Sequence, residues 1–416
     1  MVRDALRPIL VALVSIGAAF SSARGNTIIV DVNGSGQFTD IPPAIAAAQD
    51  GDTLLVLPGA YSGFTLDKDL FIIGYGDARA GDASVSLLYH GFAVAVVNLR
   101  LTSFSVSSCQ DTVIAQELTG LQSLDVAWST DVRIRSASVQ QPVGNPLSYA
   151  VTTQGSRVEL VASTVHGSEA PDCASYANGG DGWSISDGSR VHAARSYVLG
   201  GSGSLCATSL SFHGGDGAPA IELSAPGQLI LAGGGVGYVD GGVGGFNFAY
   251  QDCSHDGNDA CSITTLSGTS LWYSGVFISS GSYVCQPMHC LYCPIPPICG
   301  PAVAVSPDDP TLDVSGEPVA GQTIRFTVYA PPGSSAILYF GRQAIIVPDA
   351  DPSVVEQLTP KARIVNLGTI PTSGQAQFAW PIHAGLQPGT LLIAQSEITL
   401  AGGAIRRTNS IPVIVR

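Results

Sequence analysis

Asp131-Val132-Arg133-Ile134-Arg135-Ser136-Ala137-Ser138-Val139 can be laid over Arg157-Val158-Glu159-Leu160-Val161-Ala162-Ser163-Thr164-Val165, and both over Arg190-Val191-His192-Ala193-Ala194-Arg195-Ser196-Tyr197-Val198. Weaker copies begin at Gln228-Leu229-Ile230-Leu231 and Ser270-Leu271-Trp272-Tyr273. Alternation within each copy is the period-2 pattern of a β-strand, with Val132, Val158, Val191, Leu229 and Leu271 pointing inward. These anchors are 26, 33, 38 and 42 residues apart. A solenoid coil needs somewhat over ~20 residues, so the lengthening repeat predicts loops that grow at one corner while stacked strands keep the core closed.

The loops repeat as well. Gly179-Gly180-Asp181-Gly182 precedes Trp183, Gly214-Gly215-Asp216-Gly217 precedes Ala220, and Asp256-Gly257-Asn258-Asp259 precedes Cys261. A cysteine lies upstream in each loop, at 173, 206 and 253. Asp181 and Asp216 are expected on the same side of the solenoid. Oxygen ligands on glycine-rich turns suit Ca²⁺, so Asp181, Asp216, Asp256 and Asp259 are the candidate metal ligands, against a simpler reading as turn-capping aspartates.

Composition agrees with a strand-rich chain of tight turns. Of 416 residues, 49 are glycine and only 12% are charged. The formal charge of −14 repels a phosphate backbone and argues against a nucleic-acid partner. Arg3 and Arg7 precede an apolar run ending at Phe20, and Ser21 and Ala23 supply small residues, so 1–23 is expected to be a secretory signal peptide. No later run is long enough for a transmembrane helix. The expected location is therefore secreted, periplasmic or cell-surface.

Export permits disulfides, and nine cysteines leave at least one without an intrachain partner. Cys109, isolated in apolar sequence, is expected to be a buried free thiol. The expected bridges are Cys173 with Cys206 and Cys253 with Cys261. Cys285, Cys290, Cys293 and Cys299 are expected to form two more in a Pro-rich linker at 285–303, with a zinc knot as the alternative. Beyond it, alternating segments such as Thr323-Ile324-Arg325-Phe326-Thr327-Val328-Tyr329 and Ala336-Ile337-Leu338-Tyr339-Phe340 predict a β-sandwich over 304–416.

The opening of the chain carries a resemblance. Ile28-Ile29-Val30-Asp31-Val32, Gly51-Asp52-Thr53-Leu54-Leu55-Val56-Leu57-Pro58-Gly59-Ala60-Tyr61 and Phe71-Ile72-Ile73-Gly74 are strands closed by glycine turns, with Ala44-Ile45-Ala46-Ala47-Ala48 as a short lid. Residues 28–76 resemble the first coils of the pectin-lyase-like superfamily, pectinesterases in particular. That resemblance implies a right-handed parallel β-helix, expected over 26–284. Residues from Gly374 to Val415 resemble a C-terminal module of planctomycete surface proteins, which implies an envelope setting.

The resemblance implies an esterase less well than a fold. Pectinesterases need two carboxylates, a glutamine and an arginine. Gln110-Asp111-Thr112 matches part of one motif and Asp131 follows at the right distance, but the surroundings of Asp131 and the arginine motif do not match. Gln110 and Asp111 read as a corner turn. Arginines on the repeat are the better candidate: Asp131/Arg157/Arg190 and Arg133/Glu159/His192 should stack on one outward face about 4.8 Å apart. Arg133, Arg157, Glu159, Arg190 and His192 are thus the candidate ligand-binding residues, suited to uronate or sulfate groups, with a solvated charge ladder as the plainer reading. Nucleophile elbow, H-E-x-x-H, P-loop and dinucleotide motifs are missing from the chain. The expected function is a structural or polysaccharide-binding role, with envelope components as partners. The alternative is a lyase or hydrolase acting on acidic polysaccharide.

Overall fold

The computed structural model describes residues 25–89, 93–145, 149–172, 174, 177–204, 215–243, 260–280, 296–300, 310–341, 344–345, 357–358 and 363–416. The expected signal peptide lies outside them. Strands dominate: a parallel β-helix is followed by a C-terminal antiparallel β-sandwich.

The solenoid has three faces. The first stacks Thr27–Val30, Thr53–Val56, Phe71–Gly74, Val94–Val97, Thr112–Gln116, Asp131–Arg135, Arg157–Val161 and Arg190–Ala194, then the longer strands Gln228–Asp240 and Ser270–Ser279, all in parallel. The anchors expected from the repeat are in register: Val132 pairs with Val158, Val158 with Val191, Val191 with Leu229 and Leu229 with Leu271. The second face is narrow and includes Ser138–Gln140, Thr164–His166 and Tyr197–Leu199. The third is a nine-stranded parallel sheet from Phe64–Leu66 to Ile298–Cys299. Inward side chains of the three faces form one continuous core, in which Trp183 is fully buried and donates its indole N–H to Thr153 Oγ1 at 3.0 Å.

Sharp corners come from single residues with positive φ. Asn98, Glu117, Ser136, Ala162 and Arg195 turn the chain after the first face, and Leu87, Ser108, Trp128 and Asp187 turn it after the third. Each such corner carries a hydroxyl ladder that satisfies backbone groups the strands leave behind. Ser129 Oγ accepts from the Cys109 N–H at 3.2 Å, Ser156 Oγ from Ser129 at 3.0 Å and Ser189 Oγ from Ser156 at 3.2 Å. At the other corner Ser163 and Ser196 do the same for Ala137 and Ser163. Cys109 is free and buried, as expected, and stands at the start of the first ladder with burial raising its thiol pKa.

The N-terminal end is closed by the helix Ile41–Ala47, capped by Asp40 and burying Ile41, Ala44 and Ile45 against the first strands. Lys68 Nζ caps its far end through the carbonyls of Ile45, Ala46 and Ala48 at 2.8 to 3.1 Å. A seven-residue helix is too short to persist alone, and this docking is what holds it.

The chain leaves the second face after His166, Leu199 and Asp240 and returns to the third at Trp183, Ile221 and Ile263, so the insertions depart from the corner between those faces. Their necks are zipped by one backbone ladder. Gly180 N–H donates to Ser168 C=O, Gly201 to Gly180, Ala218 to Gly201, Gly242 to Ala218 and Ala260 to Gly242, at 2.7 to 3.1 Å. Only small residues fit, since a Cβ on Gly201 would overlap the Ser168 carbonyl and one on Gly242 the Gly201 carbonyl. Asp181 and Asp216 share this corner, but in shifted positions. Trp183 pairs with Ile221, which sets Gly182 beside Ala220, whereas Asp216 reaches back to Gly179 through its carbonyl at 2.9 Å.

One expected disulfide is corrected. Cys261 is bonded to Cys299, with Cα atoms 5.9 Å apart, rather than to Cys253. The linker reading placed Cys299 outside the solenoid, yet Ile298–Cys299 is the last strand of the third face, with Ile263 paired to Ile298, which brings Cys261 alongside. Cys173, Cys206, Cys253, Cys285, Cys290 and Cys293 lie outside the described residues.

In the sandwich, Thr311–Ser315, Thr323–Tyr329 and Gln375–Pro381 form one antiparallel sheet. Arg363–Thr369, Ser335–Gly341, Leu391–Thr399, Ile405–Arg407 and Ile411–Ile414 form the other. Phe340 sits between them, 6.3 Å from Phe326 and 5.6 Å from Trp380 by ring centroids. The second sheet docks on the first face of the solenoid. Ile414 packs with Ile73, Ala95, Val97 and Ile114, and Val161 and Ala194 join the core of the sandwich.

The pinched necks lead to a test. Gly242→Ala should destabilise by about 1–3 kcal/mol, because a crowded backbone must shift to admit the methyl, whereas Gly402→Ala, with open space around it, should be near neutral. Thermal melts of the two variants check this.

Candidate functional site

The repeat correctly places the charged ladder: Arg133 pairs with Glu159, Glu159 with His192 and Arg157 with Arg190. Its expected exposure is corrected. Arg133, Glu159 and His192 are only 1%, 5% and 8% exposed; the C-terminal strand of the sandwich lies over the Asp131–Arg135 strand, and Ser410 meets Glu159. Arg157 is half-buried and only Arg190 is exposed.

Burying charge is costly unless every group finds a partner, and most here do. Asp131 accepts from Arg133 Nε at 3.0 Å and Nη2 at 2.9 Å, and from Thr112 Oγ1 at 2.7 Å. Ser410 bridges the domains. Its N–H and hydroxyl each donate to Glu159 at 2.6 Å, and its hydroxyl is 3.3 Å from Arg133 Nη1. Although burial opposes ionisation of Asp131, the Arg133 charge and its hydrogen bonds hold the carboxyl below its ordinary value. For Glu159 burial prevails over Arg133 and Ser410 and raises the pKa. His192 is driven down to about 4, chiefly by burial and then by the Arg157 charge. Its Nδ1 has no hydrogen-bond partner, the Glu159 carboxylate being 3.8 Å away. Arg195 adds a second bridge, 3.4 Å from Asp313 and 4.0 Å from the centre of the Tyr329 ring. Chemically this arrangement is an electrostatic seam that fastens the sandwich to the solenoid.

Of the esterase-like residues, Asp111 is buried at the corner and Asp131 belongs to the seam. Two of the four candidate calcium ligands are described. Asp216 is exposed on its loop, Asp181 stands at the edge of the third face, and Asp256 and Asp259 lie outside the described residues. Among the described residues no group of three or more His, Cys, Asp or Glu side chains converges as a metal site.

With its first face covered, the solenoid presents the third. Outward from that sheet runs one polar column, coil after coil: Thr65, Ser84, Ser105, Asp125, Thr152, Ser184, Glu222 and Thr264, none of them buried. Strands about 4.8 Å apart make the column roughly 30 Å long. Neighbours bond along it, Ser84 to Thr65 at 3.0 Å and Thr152 to Asp125 at 2.5 Å. Near its looped edge Tyr149 donates to Glu222. Beside them, burial and the Glu222 charge push Asp181 up to about 6. Hydroxyls and carboxylates on a flat sheet offer many hydrogen bonds without a deep pocket. Sequence reading missed this face because its signal is scattered, one residue per coil, and appears only when the register is known.

No family model matches the chain, and no curated protein matches it in sequence. Among the described residues no helix is long and apolar enough to cross a membrane.

The seam leads to a pH test. His192 has a folded pKa below its ordinary 6.5, so the stability it contributes is complete above pH 6.5 and is lost as pH falls toward about 4. Glu159, raised, has the opposite sign and loses its contribution as pH rises. Comparing wild type with His192→Gln isolates the first effect. Wild type should lose about 3 kcal/mol relative to the variant between pH 6.5 and 4, read by urea unfolding.

Proposed function

We propose that the chain is a secreted or cell-envelope β-helix protein with a structural or polysaccharide-binding role, using the third face of the solenoid as its binding surface. The observation that carries this reading is the polar column from Thr65 to Thr264, none of it buried, on a solenoid whose first face is covered by its own sandwich. A rigid row of hydrogen-bonding groups at strand spacing suits an extended polymer of hydroxyl groups. The resemblance of residues 28–76 to pectin-lyase-like proteins and of the C-terminal segment to planctomycete surface modules supports an extracellular glycan-facing setting. The overall charge of −14 and the carboxylates of Asp125 and Glu222 favour neutral glycans over the acidic ones expected from the arginine ladder.

A carbohydrate-active enzyme is the second reading, and one observation favours it. Asp181, with its pKa near 6, would keep a proton in mild acid beside the Glu222 carboxylate, which is the division of labour that glycoside hydrolysis uses. Both readings meet in one experiment. The purified chain is run against neutral and acidic polysaccharides, with binding and release of reducing ends measured together. Retention by neutral polysaccharide without product is expected. Product that disappears in Asp181→Asn would establish the enzyme instead, and no retention by any glycan would sink the binding role.

A further inference from the structure

We propose that Trp128 is the stacking platform of a binding subsite for a pyranose ring of a neutral glycan, an inference that rests on the polysaccharide-binding reading. Trp128 turns the corner at the edge of the third face and is 57% exposed, whereas Trp183 on the same sheet is fully buried. Large aromatic surface left in water is informative in a way that scattered aliphatic exposure is not.

The ring is held flat by what the next coil lacks. Gly155 follows Trp128 in the stack, and a Cβ there would overlap Cε3 and Cζ3 of the indole, so the benzo edge rests on the bare Cα. Backbone conformation does not by itself demand glycine at this position. Leu87, Ser108, Trp128 and Asp187 occupy equivalent corners with φ between 52° and 59°, close to the 55° of Gly155. The seat for the ring is the remaining reason. Beyond it on the same corner, the exposed Gln154 amide donates to Asp187 Oδ2 at 2.7 Å, and Ser186 lies 3.3 Å from the same oxygen. Donors and acceptors therefore lie on the two coils that follow Trp128 along this corner, the first of them tied to it by the Trp128 N–H bond to the Gln154 carbonyl at 2.8 Å.

A pyranose with equatorial hydroxyls has an apolar face of axial C–H bonds and a polar rim. The indole offers a matching apolar plane, and Gln154, Asp187 and Ser186 can meet the rim. A uronate polymer is disfavoured by Asp187 at the site and by the charge of −14.

The test uses the full chain with cellohexaose and chitohexaose as neutral probes and polygalacturonate as the acidic one, followed by calorimetry and tryptophan fluorescence. At least one hexaose should bind and change the emission, polygalacturonate should not, and Trp128→Ala should weaken binding tenfold or more with an unchanged melting temperature. Trp128→Phe should restore part of the affinity. Gly155→Ala, which lifts the ring, should reduce it. Wild-type affinity in Trp128→Ala would overturn the platform while leaving the polysaccharide role standing. Preference for polygalacturonate would overturn the neutral specificity, and no binding of any probe would overturn the platform, while the wider polysaccharide panel decides the role.

Discussion

Each coil of this solenoid ends in a row of backbone N–H and C=O groups that only the next coil can satisfy. That requirement ties the register of every strand to its neighbours. It explains why Val132, Val158, Val191, Leu229 and Leu271 stay level although the chain between them lengthens steadily. It also explains the corners. Where strands stop, the hydroxyls of Ser129, Ser156 and Ser189 continue the bonding, and where insertions leave, the Ser168–Gly180–Gly201–Ala218–Gly242–Ala260 ladder closes the necks. Loops of any length are tolerated beyond those necks because the core does not depend on them.

Docking of the sandwich decides which surface remains for function. Apolar contacts around Ile414 cover the early strands of the first face, and the contacts of Ser410 with Glu159 and Arg133 cover the charged middle. Desolvation offsets much of the attraction between charges buried in such a seam. The consequence is directional. Of the arginine ladder, Arg133 is withdrawn into the seam and Arg157 half-buried, while the polar column of the third face stays partly exposed and the Trp128 ring is exposed.

Part of this was legible in advance. Positions 132, 158, 191, 229 and 271 could be aligned from alternation alone, and the register of Arg133, Glu159 and His192 followed from them. Their burial had a signal too, though an overlooked one. Phe71-Ile72-Ile73 and Val94-Ala95-Val96-Val97 are apolar at successive positions, without the alternation of a strand that faces water on one side. A sheet so written needs cover on both faces, and the sandwich supplies it through Ile414 and Leu391. Cys299 was misplaced for the opposite reason, since a two-residue strand in a Pro-rich segment has no periodicity to read.

By itself, then, the amino-acid sequence determined the parallel coils, the side on which loops accumulate, the isolated buried thiol and a separate sandwich. These are consequences of local alternation, turn chemistry and repeat spacing, which act between near neighbours or between copies of one pattern. Tertiary structure alone decided that the arginine ladder is a seam, that Cys261 meets Cys299, and that Trp128 lies on Gly155 at the edge of an open polar face. Each of those depends on how segments far apart in the chain come to lie against one another, and whether a side chain is exposed is a property of what covers it, which its own strand cannot encode.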